Sequence, residues 1–182
     1  MSEVSERYET IAGGFTARLN GIGEDQWSLQ TPCTEWVVRD LVVHVVNTHR
    51  RVFASAEGSE PIDADASGDI AGQWRAASGA IREALADETM ASKVVGGMFG
   101  EQSFESLVGR LLCTDTLVHT WDLARATGQD EVLNETAVAR ASEFLAPMDE
   151  AIRRPGGFAA KLAPDPSADS QKAFLNFCGR PV

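Results

Sequence analysis

Leu111-Leu112-Cys113-Thr114-Asp115-Thr116-Leu117-Val118-His119-Thr120-Trp121-Asp122-Leu123 decides how this chain folds and where its chemistry sits. Phe104, Val108, Leu111 and Val118 step by four, three and seven, the apolar stripe of an amphipathic helix. Asp115 and Asp122 continue that register, and His119 stands four residues after Asp115. Side chains at i and i+4 leave one helix face about one turn apart, so a carboxylate and an imidazole meet on the stripe due for burial. Burial without a partner is costly. A hydrogen-bond network, a polar group of another helix or a metal ion must therefore satisfy the pair.

Few residues elsewhere can be that partner, because the chain has three histidines: His44, His49 and His119. His44 interrupts Asp40-Leu41-Val42-Val43-His44-Val45-Val46, a stretch apolar on almost every side that reads as a buried helix. His49 is about 140° further round that helix and cannot share a face with His44. It precedes Arg50-Arg51 and is expected in solvent.

Outward from these segments the chain reads as helix after helix. Tyr8, Ile11, Phe15, Leu19 and Ile22 set a first helix near residues 4–20, ended by Gly21 and Gly23. Thr34, followed by Glu35, is the expected N-cap of a second helix running to about Ala56. Residues 58–69 are a Ser/Gly/Asp-rich loop, and Trp74, Ala77, Ile81 and Leu85 mark a third helix. Lys93–Gly100 is a glycine-bearing link with room for a short extended piece, and it lacks a phosphate-loop ending. The helix of Asp115 and His119 spans about Ser103 to Ala126 and closes at Thr127-Gly128. Another begins behind Asn134, carries Val138, Ala141, Leu145, Met148 and Ile152 inward, is interrupted at Pro147 and stops at Arg154-Pro155-Gly156-Gly157. A loop with Pro164 and Pro166 leads to a short helix over 168–178, capped by Gly179. The pattern is an all-α four-helix bundle with a short C-terminal extension, one domain over residues 1–182.

Composition bounds the function. The 182 residues are 43% hydrophobic and 24% charged, as in an ordinary globular domain with a real core. A net charge of −11 disfavours nucleic acid and anionic membranes as partners. The opening Met1-Ser2-Glu3-Val4-Ser5-Glu6-Arg7 has no secretory apolar region, and no run is long enough to span a membrane. Cys33, Cys113 and Cys178 form no Cys-x-x-Cys pair, which fits a reducing cytoplasm.

His44 with Asp115 and His119 would make a two-histidine, one-carboxylate set inside a bundle, able to hold a divalent metal with positions left open for water or a thiol. The residues equally fit a plainer account: a hydrogen-bonded core histidine, and an i, i+4 ion pair on a helix. Asp122, three beyond His119, is placed for a supporting hydrogen bond, while Asp40 reads as an exposed helix residue. Trp27, Trp36, Trp74 and Trp121 read as packing residues, and Cys113 as buried and inert on the wrong side of its helix. No Gly-x-Ser-x-Gly elbow and no Ser-His-Asp triad occur, and no catalytic residue is assigned.

Thr31-Pro32-Cys33-Thr34-Glu35-Trp36 followed by Arg39-Asp40-Leu41-Val42-Val43-His44 resembles the second-helix signature of the DinB/YfiT-like superfamily. The branch is that of the metal-binding domain of mycothiol-dependent maleylpyruvate isomerase. Asp115-Thr116-Leu117-Val118-His119-Thr120-Trp121-Asp122-Leu123-Ala124-Arg125-Ala126-Thr127-Gly128 is similar to its second signature, and Leu175-Asn176-Phe177-Cys178-Gly179-Arg180-Pro181 to the tail of short actinobacterial members. The resemblance implies a DinB-like four-helix bundle holding zinc or nickel through three residues, which map onto His44, Asp115 and His119. The carboxylate is Asp where the isomerase carries Glu and many relatives carry His. The isomerase has a further C-terminal domain contributing to its active site; these 182 residues hold none, so maleylpyruvate isomerisation is not the expected activity. The expected function is that of a metal-dependent thiol S-transferase with mycothiol as co-substrate and a small electrophile as partner, in a monomer or homodimer. A non-catalytic metal or small-molecule binding module and a metal-dependent hydrolase are the alternatives.

Overall fold

The computed structural model describes residues 1–96, 100–153, 157–163 and 166–182. Helix α1, Glu3–Asn20, starts where the Ser2 hydroxyl accepts from the Ser5 N–H at 3.1 Å, with Glu3 and Glu6 in the electropositive first turn. It buries Tyr8, Ile11, Phe15 and Leu19. Helix α2 is Val38–Glu57 and α3 is Ile70–Ala86, the latter capped by Asp69 accepting from the Gly72 N–H at 2.8 Å. A short α4, Glu88–Ser92, leads to a two-stranded antiparallel hairpin, β1 Val94–Val95 with β2 Gln102–Ser103. The extended piece expected in the Lys93–Gly100 link is thus β1; residues 97–99 of that link lie outside the described residues. Helix α5, Phe104–Leu107, then runs through a π-helical turn, Val108–Leu112, into α6, Cys113–Thr127.

Helices α1 and α6 pack together, as do α2 and α3, and each pair is closed by α1 against α3 and α2 against α6. That is the four-helix bundle. Its centre is filled by Tyr8, Phe15, Leu41, Trp74, Ile81 and Trp121, with the Phe15 and Trp74 rings 4.7 Å apart between centroids. Burial of such side chains stabilises the fold by about 1.5–3 kcal/mol each. The expected C-terminal extension is α7, Glu135–Leu145, capped by Asn134, and α8, Ser170–Phe177, which pack on one another while α7 leans on α6. Pro147 ends α7 in a 3₁₀ turn, Ala146–Met148, because its ring removes a helical donor. Of the stop signal Arg154-Pro155-Gly156-Gly157, residues 154–156 lie outside the described residues, as does Pro164 of the following loop.

Two expectations are corrected. Thr34 is not the α2 N-cap: it is exposed in a turn closed by the Trp36 N–H on the Cys33 carbonyl at 2.8 Å. The Gln30 amide and the Thr31 hydroxyl both donate to the Trp36 carbonyl, closing this loop and delaying the helix until after Val37, whose N–H donates to the Asp40 carboxylate at 3.1 Å. Asp40 is therefore an exposed capping residue. His49 is not in solvent either, but fully buried. Because α2 packs on both α3 and α6, its buried surface takes in Thr48, His49 and Val52 as well as the Leu41–Val45 stripe. His49 lies between the Tyr8 and Trp74 rings and donates from Nδ1 to the Val45 carbonyl at 2.8 Å.

The π turn governs where the site residues point. The Cys113 N–H reaches back five residues to the Val108 carbonyl, so this turn holds one residue more than an α-turn. Phe104, Val108 and Leu112 therefore share the core, while Leu111 rolls outward and lines a cavity together with Asp115. Gly128, in the left-handed region at φ 68°, closes α6 where expected. No helix among the described residues is long and apolar enough to cross a membrane.

Candidate metal centre

A cavity of about 610 Å³ opens between the α2–α6 face of the bundle and the C-terminal extension. Its polar end collects the three residues that the sequence singled out. His44 comes from α2, and Asp115 and His119 come from successive turns of α6. Asp115 Oδ1 lies 3.2 Å from His44 Nε2 and 3.6 Å from His119 Nε2, and one donor atom of each residue falls within 4.8 Å of the others. Trp36 forms the wall above them, its ring 4.4 Å from His44 and 5.7 Å from His119 between centroids. The packing role expected of the tryptophans holds for Trp74 and Trp121, whereas Trp36 faces the cavity.

The supporting shell is denser than the sequence suggested. Asp122, fully buried, accepts from His119 Nδ1–H at 3.0 Å. That contact turns Nε2 toward Asp115 and His44. Arg180, from the C-terminal tail, grips Asp122 with two bonds, Nε to Oδ1 at 3.0 Å and Nη2 to Oδ2 at 2.8 Å. Cys33 Sγ stands 3.4 Å from Asp122 Oδ2 and accepts from Arg180 Nη2 at 3.0 Å. Neither Arg180 nor Cys33 carries a sequence signal for this role. Both lie inside quoted motifs, Thr31-Pro32-Cys33 and Gly179-Arg180-Pro181, but nothing in their spacing ties position 180 to position 122.

Electrostatics follow the contacts. Burial works against the charged form of Asp115, but the His119 and His44 imidazoles outweigh it and hold the carboxyl below the usual carboxylate range. Burial likewise disfavours the His119 imidazolium, yet Asp115 and then Asp122 raise it well above an ordinary histidine. Asp122 is buried too, and hydrogen bonds from His119 and Arg180 keep it ionised. Cys113 is buried away from the cavity, and burial pushes its thiol up to about 11, in keeping with an inert role.

Two three-residue donor clusters occur among the described residues, His44–Asp115–His119 and Cys33–His119–Asp122. They are not equivalent. The second has the Arg180 guanidinium on both Asp122 oxygens, so a cation already occupies it. No guanidinium is bonded to the first, and Asp115 Oδ2 is buried there without a hydrogen-bond partner. An orphaned carboxylate oxygen beside two imidazole nitrogens is the donor chemistry that suits a divalent metal, and these residues fit one.

The bundle is all-α and DinB-like, and it gathers two histidines and one carboxylate that could hold a metal at the foot of an open cavity. Sequence comparison gives the family: residues 8–124 match the mycothiol maleylpyruvate isomerase N-terminal domain, and the chain belongs to that family. The matched span contains His44, Asp115 and His119 and stops short of Arg180. The chain is also similar to two uncharacterized proteins from two strains of Mycobacterium tuberculosis, each 35% identical over 174 residues covering 92% of this chain and 94% of the relative. No solved structure matches significantly.

Proposed function

We propose that this protein is a metal-dependent thiol transferase in which His44, Asp115 and His119 hold a divalent cation, zinc or nickel. It would join a low-molecular-weight thiol of the mycothiol type to a small electrophile. The observation that carries this reading is the buried, unpartnered Asp115 Oδ2 beside two imidazoles at the foot of a cavity large enough for small reactants. A cation there supplies Lewis acidity, which lets a thiol lose its proton near neutral pH. The protein's own residues do the rest. Asp122 directs His119 Nε2 inward, and the Trp36 ring covers both imidazoles on one side. Leu111, Phe144 and Phe158 give the remaining wall an apolar face that limits water around the reactants. The unpaired state of Cys33, Cys113 and Cys178 supports a reducing, cytoplasmic setting.

The test is metal analysis of untagged protein beside His119→Ala, followed by thiol conjugation to a generic electrophile with and without chelator. One equivalent of metal in the wild type, lost in the variant, together with chelator-sensitive conjugation, is the expected result. Stoichiometric metal without turnover by any thiol would assign a binding module instead. Hydrolysis that needs no thiol would assign a hydrolase. Wild-type protein that takes up no metal under replete conditions would remove the metal reading altogether.

A further inference from the structure

The C-terminal tail reaches α6 by a defined route. After α8 the chain turns at Gly179, whose φ of 77° lies in the left-handed region and whose hydrogen-only side chain leaves room for Ala159 and Ala160. A Cβ there would meet Ala159 Cβ at 2.8 Å and the Ala160 carbonyl at 2.9 Å, so only glycine fits. The Arg180 N–H donates to the Leu175 carbonyl at 2.9 Å, which fixes the backbone at the residue itself. Its side chain is then spent entirely inside the protein. Nη1 donates to the Cys178 carbonyl at 3.0 Å, Nη2 to Cys33 and Asp122, and Nε to Asp122.

What this adds to the site follows from the freedom of an aspartate. The terminal torsion of Asp is broad and roughly two-fold, so nothing in Asp122 itself selects the plane of its carboxylate. A forked guanidinium bonded to both oxygens does select it, and a point-charge ammonium cannot. With the plane set, Oδ2 stands in line for His119 Nδ1–H, and the imidazole is held with Nε2 toward Asp115 and His44. We propose that Arg180 is a positioning residue of the metal centre, acting through Asp122 to fix the ring orientation of His119. It follows that the centre is incomplete within the family-matched span 8–124 and is finished by the tail. The proposal rests on the metal-site reading above, and its test separates the two.

Full-length wild-type protein and Arg180→Lys are compared by three measurements. The imidazole nitrogen–proton correlations of the metal-free protein report the His119 ring, a cobalt(II) titration followed by visible absorption reports affinity, and the thermal midpoint controls for folding. The folded Lys variant is expected to lose the slowly exchanging His119 Nδ1–H resonance. It should also bind cobalt about 10–100-fold more weakly, the usual effect of losing an outer support, with an altered ligand-field band. Should Arg180→Lys not fold, Arg180→Gln, which leaves Asp122 intact but lacks the guanidinium fork that bonds both its oxygens, is put through the same measurements with the same expectation. A folded variant with the wild-type His119 resonance, whatever its cobalt affinity, overturns the proposal. If wild type binds no cobalt yet Arg180→Lys still releases the His119 ring, the positioning role stands and the metal reading fails.

Discussion

His49 and His119 are both buried histidines on packed helices of one bundle, and their surroundings drive them in opposite directions. His49 sits among the Tyr8 and Trp74 rings with a single partner, the Val45 carbonyl, and its Nε2 has none. Burial therefore holds it neutral and lowers it to about 4. His119 is nearly as buried but lies between the carboxylates of Asp115 and Asp122, which raise it well above the ordinary value. The difference teaches that burial does not make a site. One carboxylate aims the His119 imidazole and another faces it, while His49 touches neither and is packing.

The sharpest way to break the comparison is to take away the carboxylate that aims His119. Asp122→Ala leaves the Arg180 guanidinium buried with no anionic partner. Removing one member of a buried pair costs about 3–5 kcal/mol, and urea denaturation of the metal-free protein should show a loss of that order. A loss under about 1 kcal/mol, the scale of an exposed ion pair, would mean that the tail withdraws and that the Arg180–Asp122 contact is not part of the stable fold.

The two histidines should also give stability opposite slopes against pH. His49 has a folded value near 4 against an ordinary 6.5, so between those limits the unfolded chain binds the extra proton. Stability should fall as pH drops from about 6.5 to about 4, by roughly 3 kcal/mol from this residue alone. His119 is raised, so in metal-free protein its contribution is fully present below 6.5 and lost as pH rises through its folded value. Denaturation of metal-free wild type, His49→Leu and His119→Gln across pH 4–9 separates them. His49→Leu should flatten the acid limb only, and His119→Gln the alkaline limb only. If either substitution flattens the other's limb, the residues are one coupled system and the contrast between them is false.

Much of this was legible in the sequence, and the exceptions share a cause. Helical periods located α1, α3, α6 and α7, and the caps at Asn134 and Gly128 stand where short-range chemistry puts them. His44, Asp115 and His119 could be named because two lie four apart on one stripe and the third interrupts an apolar run; the structure brings all three together. The π turn could not be read, because a stripe at four-three spacing continues through it with no gap. His49 departs from its local sequence because its neighbours Arg50 and Arg51 suggest solvent, whereas its burial comes from a second packing partner of α2 that only the assembled bundle supplies. Thr34 falls short of the helix start for a related reason: the Gln30 and Thr31 side chains delay the helix by several residues. Arg180 is the extreme case. Its partner is 58 residues away, and long-range ion pairs leave no periodic trace.

The smallest expected effect is the most discriminating. At pH 8 His49→Leu exchanges side chains of similar volume and removes an unpartnered nitrogen, so it should change stability by less than about 1.5 kcal/mol. It should leave the stabilisation by added metal untouched. At free metal 100 times the dissociation constant that increment is about 2.7 kcal/mol, equal in wild type and His49→Leu and absent in His119→Gln. Thermal melts of the three proteins with and without zinc read it directly. A smaller increment in His49→Leu would mean that the core histidine reaches the metal centre through Asp115, whose field acts on both histidines. The bundle interior and the cavity would then be a single electrostatic unit, and the His49–His119 contrast one of degree.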